Sequence, residues 1–125
     1  DETSIDIYLP HFSELGFPAE DIKSYCRSLE GFTVPSPEVM LILKTRVLKE
    51  REGTTKGRKD LLDIISLLDK AEINWKTYHG LIKKYGLEKL SEELKKVVSQ
   101  QIRLAEIDLT NHKMAKLKKQ ILANI

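Results

Sequence analysis

Hydrophobic residues recur at helical spacing over most of the chain after residue 36. Leu61, Ile64, Ile65 and Leu68 are three or four positions apart, which places them on one face of an α-helix. The same spacing recurs at a later set of positions: Leu90, Leu94, Val97, Val98, Leu104 and Ala105. The pattern predicts a mainly α protein, a bundle of five or six helices that follows a short N-terminal strand remnant.

Capping residues mark where the first two helices of the bundle begin and end. Ser36 suits an N-cap and Pro37 suits the first helical position, so the first helix is predicted over residues 37 to about 51. Residues 53–57 contain two glycines and two threonines and form the predicted break. The second helix then continues to about residue 70.

The later helices have weaker boundaries. Asn74 suits the N-cap of a third helix, which Gly86 ends. A fourth helix is predicted from Leu87, with a break at 108–111. Thr110 or Asn111 would then cap a last helix that ends near Leu122. Because neither Gly nor Pro enforces that break, one uninterrupted helix from 87 onwards is the alternative.

The first 35 residues have a different pattern. Residues 4–9 alternate between apolar and polar side chains, as a half-buried strand does. Residues 19–29 are spaced for a short helix, and 32–34 for an extended segment. We therefore divide the chain into a strand-and-helix unit at 1–35 and a helical bundle at 36–125. Since the chain begins with Asp1, we expect it to be a piece of a longer protein.

Composition narrows the class of protein. The chain has 125 residues, of which 41% are hydrophobic and 32% are charged, which is typical of a folded, helix-rich protein. Its single cysteine, Cys26, excludes an internal disulfide and a multi-cysteine zinc site, and we expect a buried, inert thiol. Without a run of 18 apolar residues, the sequence predicts no membrane span and a cytoplasmic protein. Abundant Lys and Glu hint at a thermophilic source.

Basic residues are concentrated in two segments although the net charge is only +2. Residues 44–59 hold seven Lys and Arg against two Glu, and residues 113–119 hold four Lys and no acid. Such segments are either solvated faces or phosphate-binding surfaces. One hypothesis is therefore a non-catalytic helical module that binds RNA or a partner protein. Another is a homodimer through apolar residues of the C-terminal helices: Leu90, Leu94, Val97, Ile102, Leu109 and Ile121.

Four charged residues of the first two helices have a spacing that suggests a site. Lys44 and Arg51 are seven positions apart and share a helix face, as do Asp60 and Asp63, which are three apart. A short linker would fold the helices antiparallel and bring the cations near the acids. On spacing alone, structural salt bridges are favoured over a binding site. Familiar catalytic motifs such as a Gly-rich phosphate loop or His-Glu-x-x-His do not occur.

These residues also carry a family resemblance. Val34-Pro-Ser-Pro-Glu38, Lys44 with Arg51, and Lys59-Asp60-Leu-Leu-Asp63 together resemble the second half of small nucleotidyltransferases, of the abortive-infection toxin type and its archaeal relatives. The resemblance implies that Lys44, Arg51, Asp60 and Asp63 bind nucleotide or substrate. It also implies that Asp6 is a third catalytic carboxylate, at the end of a nucleotidyltransferase-like α/β domain.

The resemblance implies a metal-dependent transfer in an intact parent protein. Mg²⁺ and a nucleoside triphosphate would be its cofactors, the nucleotide would be its ligand, and RNA or an antitoxin-like protein would be its partner. The family's Gly-Ser and Asp-x-Asp segment does not occur in this sequence, and we expect it upstream of Asp1. Because Mg²⁺ needs several oxygen ligands, this chain alone is expected to be inactive.

Overall fold

Two short strands lead into the helical part of the chain. The computed structural model describes residues 26–29 and 32–125, beginning with β1 (Cys26–Leu29) and β2 (Phe32–Pro35). The strands pair antiparallel, with Cys26 opposite Pro35 and Leu29 opposite Phe32. The extended segment predicted at 32–34 is confirmed. The helix predicted over 19–29 is wrong for its last four residues, because backbone pairing with β2 replaces local helical bonds there.

The first bundle helix, α1 (Pro37–Arg51), is the central element of the fold. Its predicted boundaries are confirmed, and the Ser36 hydroxyl accepts a hydrogen bond from the Val39 N–H. Hydrophobic side chains are buried around most of its circumference, at Val39, Leu41, Ile42, Leu43, Val47 and Leu48. A helix that is apolar on most sides must be covered on most sides, and α1 contacts β2 and three other helices.

The second helix, α2 (Thr55–Lys70), folds back antiparallel to α1. The turn between them is shorter than the predicted break because Thr54 is the N-cap. Its hydroxyl donates to the Arg51 carbonyl oxygen at 2.6 Å and accepts from the Gly57 N–H at 3.0 Å. Gly53 makes the turn possible with a φ of +83°, a conformation that favours glycine. The result is a closely joined helical hairpin.

The third and fourth helices are α3 (Trp75–Tyr85) and α4 (Glu88–Ser99). As predicted, the Asn74 side chain caps α3 by accepting from the Thr77 N–H, and Gly86 ends that helix with a φ of +64°. A left-handed glycine at this position is the common helix C-terminal arrangement.

The connection after α4 excludes one long helix to the end of the chain. Leu104 and Leu109 form an antiparallel bridge around a 3₁₀ turn (Ala105–Ile107). The helix therefore ends at Ser99, earlier than the predicted break at 108–111. Thr110 caps the last helix, α5 (Asn111–Asn124), as one of the two alternatives predicted.

A single hydrophobic core joins these helices, which confirms the mainly α fold. Five of the six residues that suggested a homodimer surface belong to this core: Leu90, Leu94, Val97, Leu109 and Ile121. Only Ile102, at 68% exposure, remains on the surface. Most of that apolar surface is thus used within one chain. None of the helices described is both long enough and apolar enough to span a bilayer.

Candidate functional site

The four charged residues singled out in the sequence lie along one edge of the α1–α2 hairpin. Lys44 Nζ is 3.2 Å from Asp63 Oδ2, and Arg51 Nη1 is 3.5 Å from Asp60 Oδ2. Each pair joins α1 to α2, so the structure brings the predicted residues together as two cross-helix ion pairs. Lys44 and Arg51 share one face of α1 because they are seven residues apart. The two acids meet them in reverse order because α2 runs antiparallel to α1.

The two pairs differ in their exposure to solvent. The Asp60 side chain is 6% exposed, whereas its partner Arg51 is 44% exposed. In the other pair, Lys44 is 21% exposed and Asp63 is 38% exposed. A buried carboxylate without a nearby cation is costly, so Arg51 stabilises Asp60 in the folded chain. Asp60 lies beyond the first turn of α2, which contains no acid, so it is not a first-turn residue facing the helix dipole.

This edge offers two cations in fixed positions to an anionic ligand. Lys44 and Arg51 are two helical turns apart, about 10 Å along the axis of α1. A guanidinium has five N–H donors, and the contact with Asp60 uses one of them. Because the guanidinium is half-exposed, phosphate or carboxylate oxygens can reach its remaining donors. The arrangement is suited to binding phosphate groups.

Metal binding is a separate question from phosphate binding. Across residues 26–29 and 32–125, no group of three His, Cys, Asp or Glu side chains is placed to hold a metal ion. Asp6, the predicted third carboxylate, lies outside the described residues, as does the strand predicted at 4–9.

A cavity on another flank of α2 was not predicted from the sequence. It has a volume of about 330 Å³ and lies between the end of α1, the start of α2 and the end of α4. Leu48, Leu61 and Val97 supply apolar surface, and Arg58 and Gln101 supply polar groups. Its walls come from three helices, so no local sequence pattern marks it.

Arg58 at this cavity is held by a residue far away in the sequence. Its Nε and Nη2 atoms donate to the two carboxylate oxygens of Glu106, at 3.0 and 3.1 Å. The pKa of the Glu106 carboxyl is lowered, mainly by a hydrogen bond from its own backbone N–H and next by the hydrogen bond from Arg58. In the sequence, Arg58 is only one of the seven basic residues in 44–59, because a partner 48 positions away leaves no local signal.

Glu38 is a second residue whose role depends on the tertiary structure. An acid in the first turn of a helix commonly interacts with the N-terminal dipole. The Glu38 side chain is buried, and Oε2 accepts the Asn74 N–H at 2.8 Å. This bond connects the start of α1 to the residue that caps α3, so Glu38 links two helices rather than belonging to the candidate site.

Comparison with known proteins identifies no relative of this chain. No protein-family model, curated protein or solved structure matches the chain. The resemblance to nucleotidyltransferases therefore depends on the motif residues themselves.

Proposed function

We propose that the α1–α2 hairpin is the phosphate-binding wall of a nucleotide site in a nucleotidyltransferase-like protein. The observation that carries the proposal is the pair of cross-helix contacts, Lys44 with Asp63 and Arg51 with Asp60. The residues that the resemblance assigns to nucleotide binding are the ones that meet along one edge. This coincidence of motif and geometry supports binding over an unrelated set of surface charges.

Each residue has a distinct role in the proposed site. Lys44 and Arg51 offset the negative charge of the triphosphate, because charge-assisted hydrogen bonds to phosphate are stronger than neutral ones. Asp60 and Asp63 compensate the two cations when no ligand is bound, since each carboxylate pairs with one of them. Chemical transfer would require Mg²⁺, whose ligands the resemblance assigns to another segment of the parent protein. The proposal therefore concerns nucleotide binding by this chain.

The test compares two lysines of α1 that differ in their surroundings. Lys44 pairs with Asp63, whereas Lys49 is exposed on the same helix and has no ion pair with any described residue. Binding of ATP, GTP, CTP and UTP, and of inorganic tripolyphosphate, is measured by calorimetry for the 125-residue chain. We expect Lys44→Gln to weaken binding about tenfold, the size of one charge-assisted contact, and Lys49→Gln to leave it nearly unchanged.

A third variant separates binding from hairpin stability. Asp63→Asn breaks the same ion pair as Lys44→Gln but keeps the cation. If Lys44 binds phosphate, Asp63→Asn retains or strengthens binding, because a competing carboxylate charge is removed. If the pair only stabilises the hairpin, Lys44→Gln and Asp63→Asn lower the melting temperature and the affinity together. That result, equal effects of Lys44→Gln and Lys49→Gln, or no binding of any triphosphate would refute the proposal.

A further inference from the structure

The outward face of α5 carries a compact group of basic side chains. His112, Lys116 and Lys119 follow one another at spacings of four and three residues, and Lys113 lies beside them; all four are exposed. The opposite face of α5 buries Met114, Leu117 and Ile121 in the core. We call His112, Lys113, Lys116 and Lys119 the basic face of α5.

The charge of the basic face is not balanced by acidic residues of α5 itself. The helix from Asn111 to Asn124 contains four lysines and no acidic residue. Among the described residues, no carboxylate forms an ion pair with these lysines. By contrast, Lys44, Arg51 and Arg58 each have a carboxylate partner on another element. Basic charge that forms no ion pair with the described part of the chain can attract an external anion.

Positive charge continues beyond the start of the helix. Arg103 and Lys113 line the same hollow at the N-terminal end of α5, together with Asp108. Asp108 therefore places a negative charge next to this surface. The hollow extends the basic face toward the connection between α4 and α5.

We propose that the basic face of α5 binds the phosphate backbone of a double-helical nucleic acid. Lys113 and Lys119 are about 9 Å apart along the helix axis. A duplex carries one negative charge per about 1.7 Å of its own axis, so a surface of this length faces several phosphates. This high charge density favours a nucleic acid over an acidic peptide as the partner.

The chemistry of the face also indicates the form of the nucleic acid. Single strands are bound mainly by stacking their bases on aromatic side chains. The α5 sequence contains no Phe, Tyr or Trp. Leu122, at 39% exposure, is the one large apolar side chain that α5 exposes, whereas a membrane-surface helix exposes a whole apolar face. Without aromatic residues or an exposed apolar face, α5 is suited to contacts with the backbone of a duplex, made without sequence preference.

The fold prepares this surface before any ligand binds. Three core residues of α5 and the Thr110 cap fix the position of the helix. Binding therefore orders only the lysine side chains, not the backbone, which limits the entropy lost on association. This surface is distinct from the ion pairs of the hairpin, so the two proposals can be tested separately.

The experiment compares two triple variants with the same change in charge. Lys113, Lys116 and Lys119 are replaced by Gln in one variant, and exposed Lys49, Lys56 and Lys59 of the hairpin are replaced in the other. Fluorescence anisotropy with a labelled RNA duplex and a DNA duplex of the same sequence gives affinity over a series of NaCl concentrations. We expect the α5 variant to bind both duplexes at least about tenfold more weakly, and the slope of log K against log salt to fall by about 2–3.

The hairpin variant and a gain-of-affinity variant complete the test. The hairpin variant should bind within about threefold of the unmodified chain, because it lowers only the long-range attraction, which salt screens. Asp108→Asn should strengthen binding, since it removes a negative charge while asparagine tolerates the left-handed φ of 59° at this position.

Four outcomes would overturn the proposal. They are no duplex binding at low salt, equal loss of affinity in the two triple variants, a clear preference for single strands, and polyglutamate competing as well as duplex. The first two would mean that the basic face is only solvated or that net charge alone matters. The last two would point to base stacking or to an acidic protein as the partner. Triphosphate binding by the hairpin would be unaffected by any of these results.

Discussion

Of the two glycines in the hairpin, Gly57 is the one that has no room for a side chain. A methyl group there would overlap the backbone carbonyl oxygen of Arg51 and lie 2.9 Å from its carbon. That carbonyl is fixed by the Thr54 hydroxyl and the Thr54 N–H, at 2.6 and 3.1 Å. Gly57→Ala therefore forces the end of α1 away from the start of α2. The neighbouring atoms are backbone, so a simple side-chain rotation cannot relieve the overlap.

The expected magnitude combines two opposing effects. Alanine is favoured over glycine within a helix by about 1 kcal/mol, whereas overpacking a tight site costs about 1–3 kcal/mol. Because the overlap involves backbone atoms, we take the upper end of that range and expect a net loss of about 2 kcal/mol. Gly80 is the matched control, as it lies within α3 with nothing within 4 Å of an added methyl group. Gly80→Ala should stabilise the chain by about 1 kcal/mol.

Urea denaturation at 25 °C measures both effects on one scale. The two variants should shift the midpoint in opposite directions with an unchanged denaturant dependence, giving a difference of about 3 kcal/mol in the free energy of unfolding. A Gly57→Ala chain as stable as the unmodified protein would mean that the two helices are not held this closely. The same conclusion would follow if both substitutions were stabilising.

Three further substitutions test the core, its pH dependence and the exposed surface. Burial raises the pKa of the Tyr78 hydroxyl, an effect that a hydrogen bond with Ser91 partly offsets, so the unfolded chain loses this proton first. The stability that the neutral Tyr78 contributes is present below pH 10 and decreases as the pH rises above it, so urea titrations at pH 8 and 11 should show a smaller alkaline loss for Tyr78→Phe. Leu94 is fully buried, and Leu94→Ala should cost about 2–5 kcal/mol by the same assay. Ile102 is 68% exposed, and Ile102→Ser should change the free energy of unfolding by less than about 0.5 kcal/mol, unless that residue packs against another chain.

Local chemistry in the sequence predicted several helix boundaries well. Ser36, Asn74 and Thr110 each cap a helix at the predicted position, and Gly86 ends α3. These signals are reliable because a cap satisfies backbone N–H groups within three residues of itself. The spacing of Lys44, Arg51, Asp60 and Asp63 also predicted which faces would meet, since a short turn leaves antiparallel packing as the simple arrangement.

Other features were decided only when distant segments came together. The segment at 26–29 has helical spacing but is a strand, because β2 supplies its hydrogen-bonding partner. α4 ends at Ser99, and Leu104 pairs with Leu109 in a segment where the sequence predicted a continuing helix. In both cases the local spacing predicts a helix, but the backbone pairs with another segment instead. The energy of that pairing depends on the second segment, so the local pattern does not reveal it.

The sequence by itself determined the helical class, the caps and the set of charged residues at the hairpin, because each of these depends on residues a few positions apart. Tertiary structure decided which charges are compensated and which are not. Arg58 is paired through Glu106, 48 positions away, whereas the lysines of α5 face outward with no acid on their own helix. Whether a basic residue is paired depends on which acids lie near it in the folded chain. A charge count along the sequence therefore could not distinguish the two basic segments.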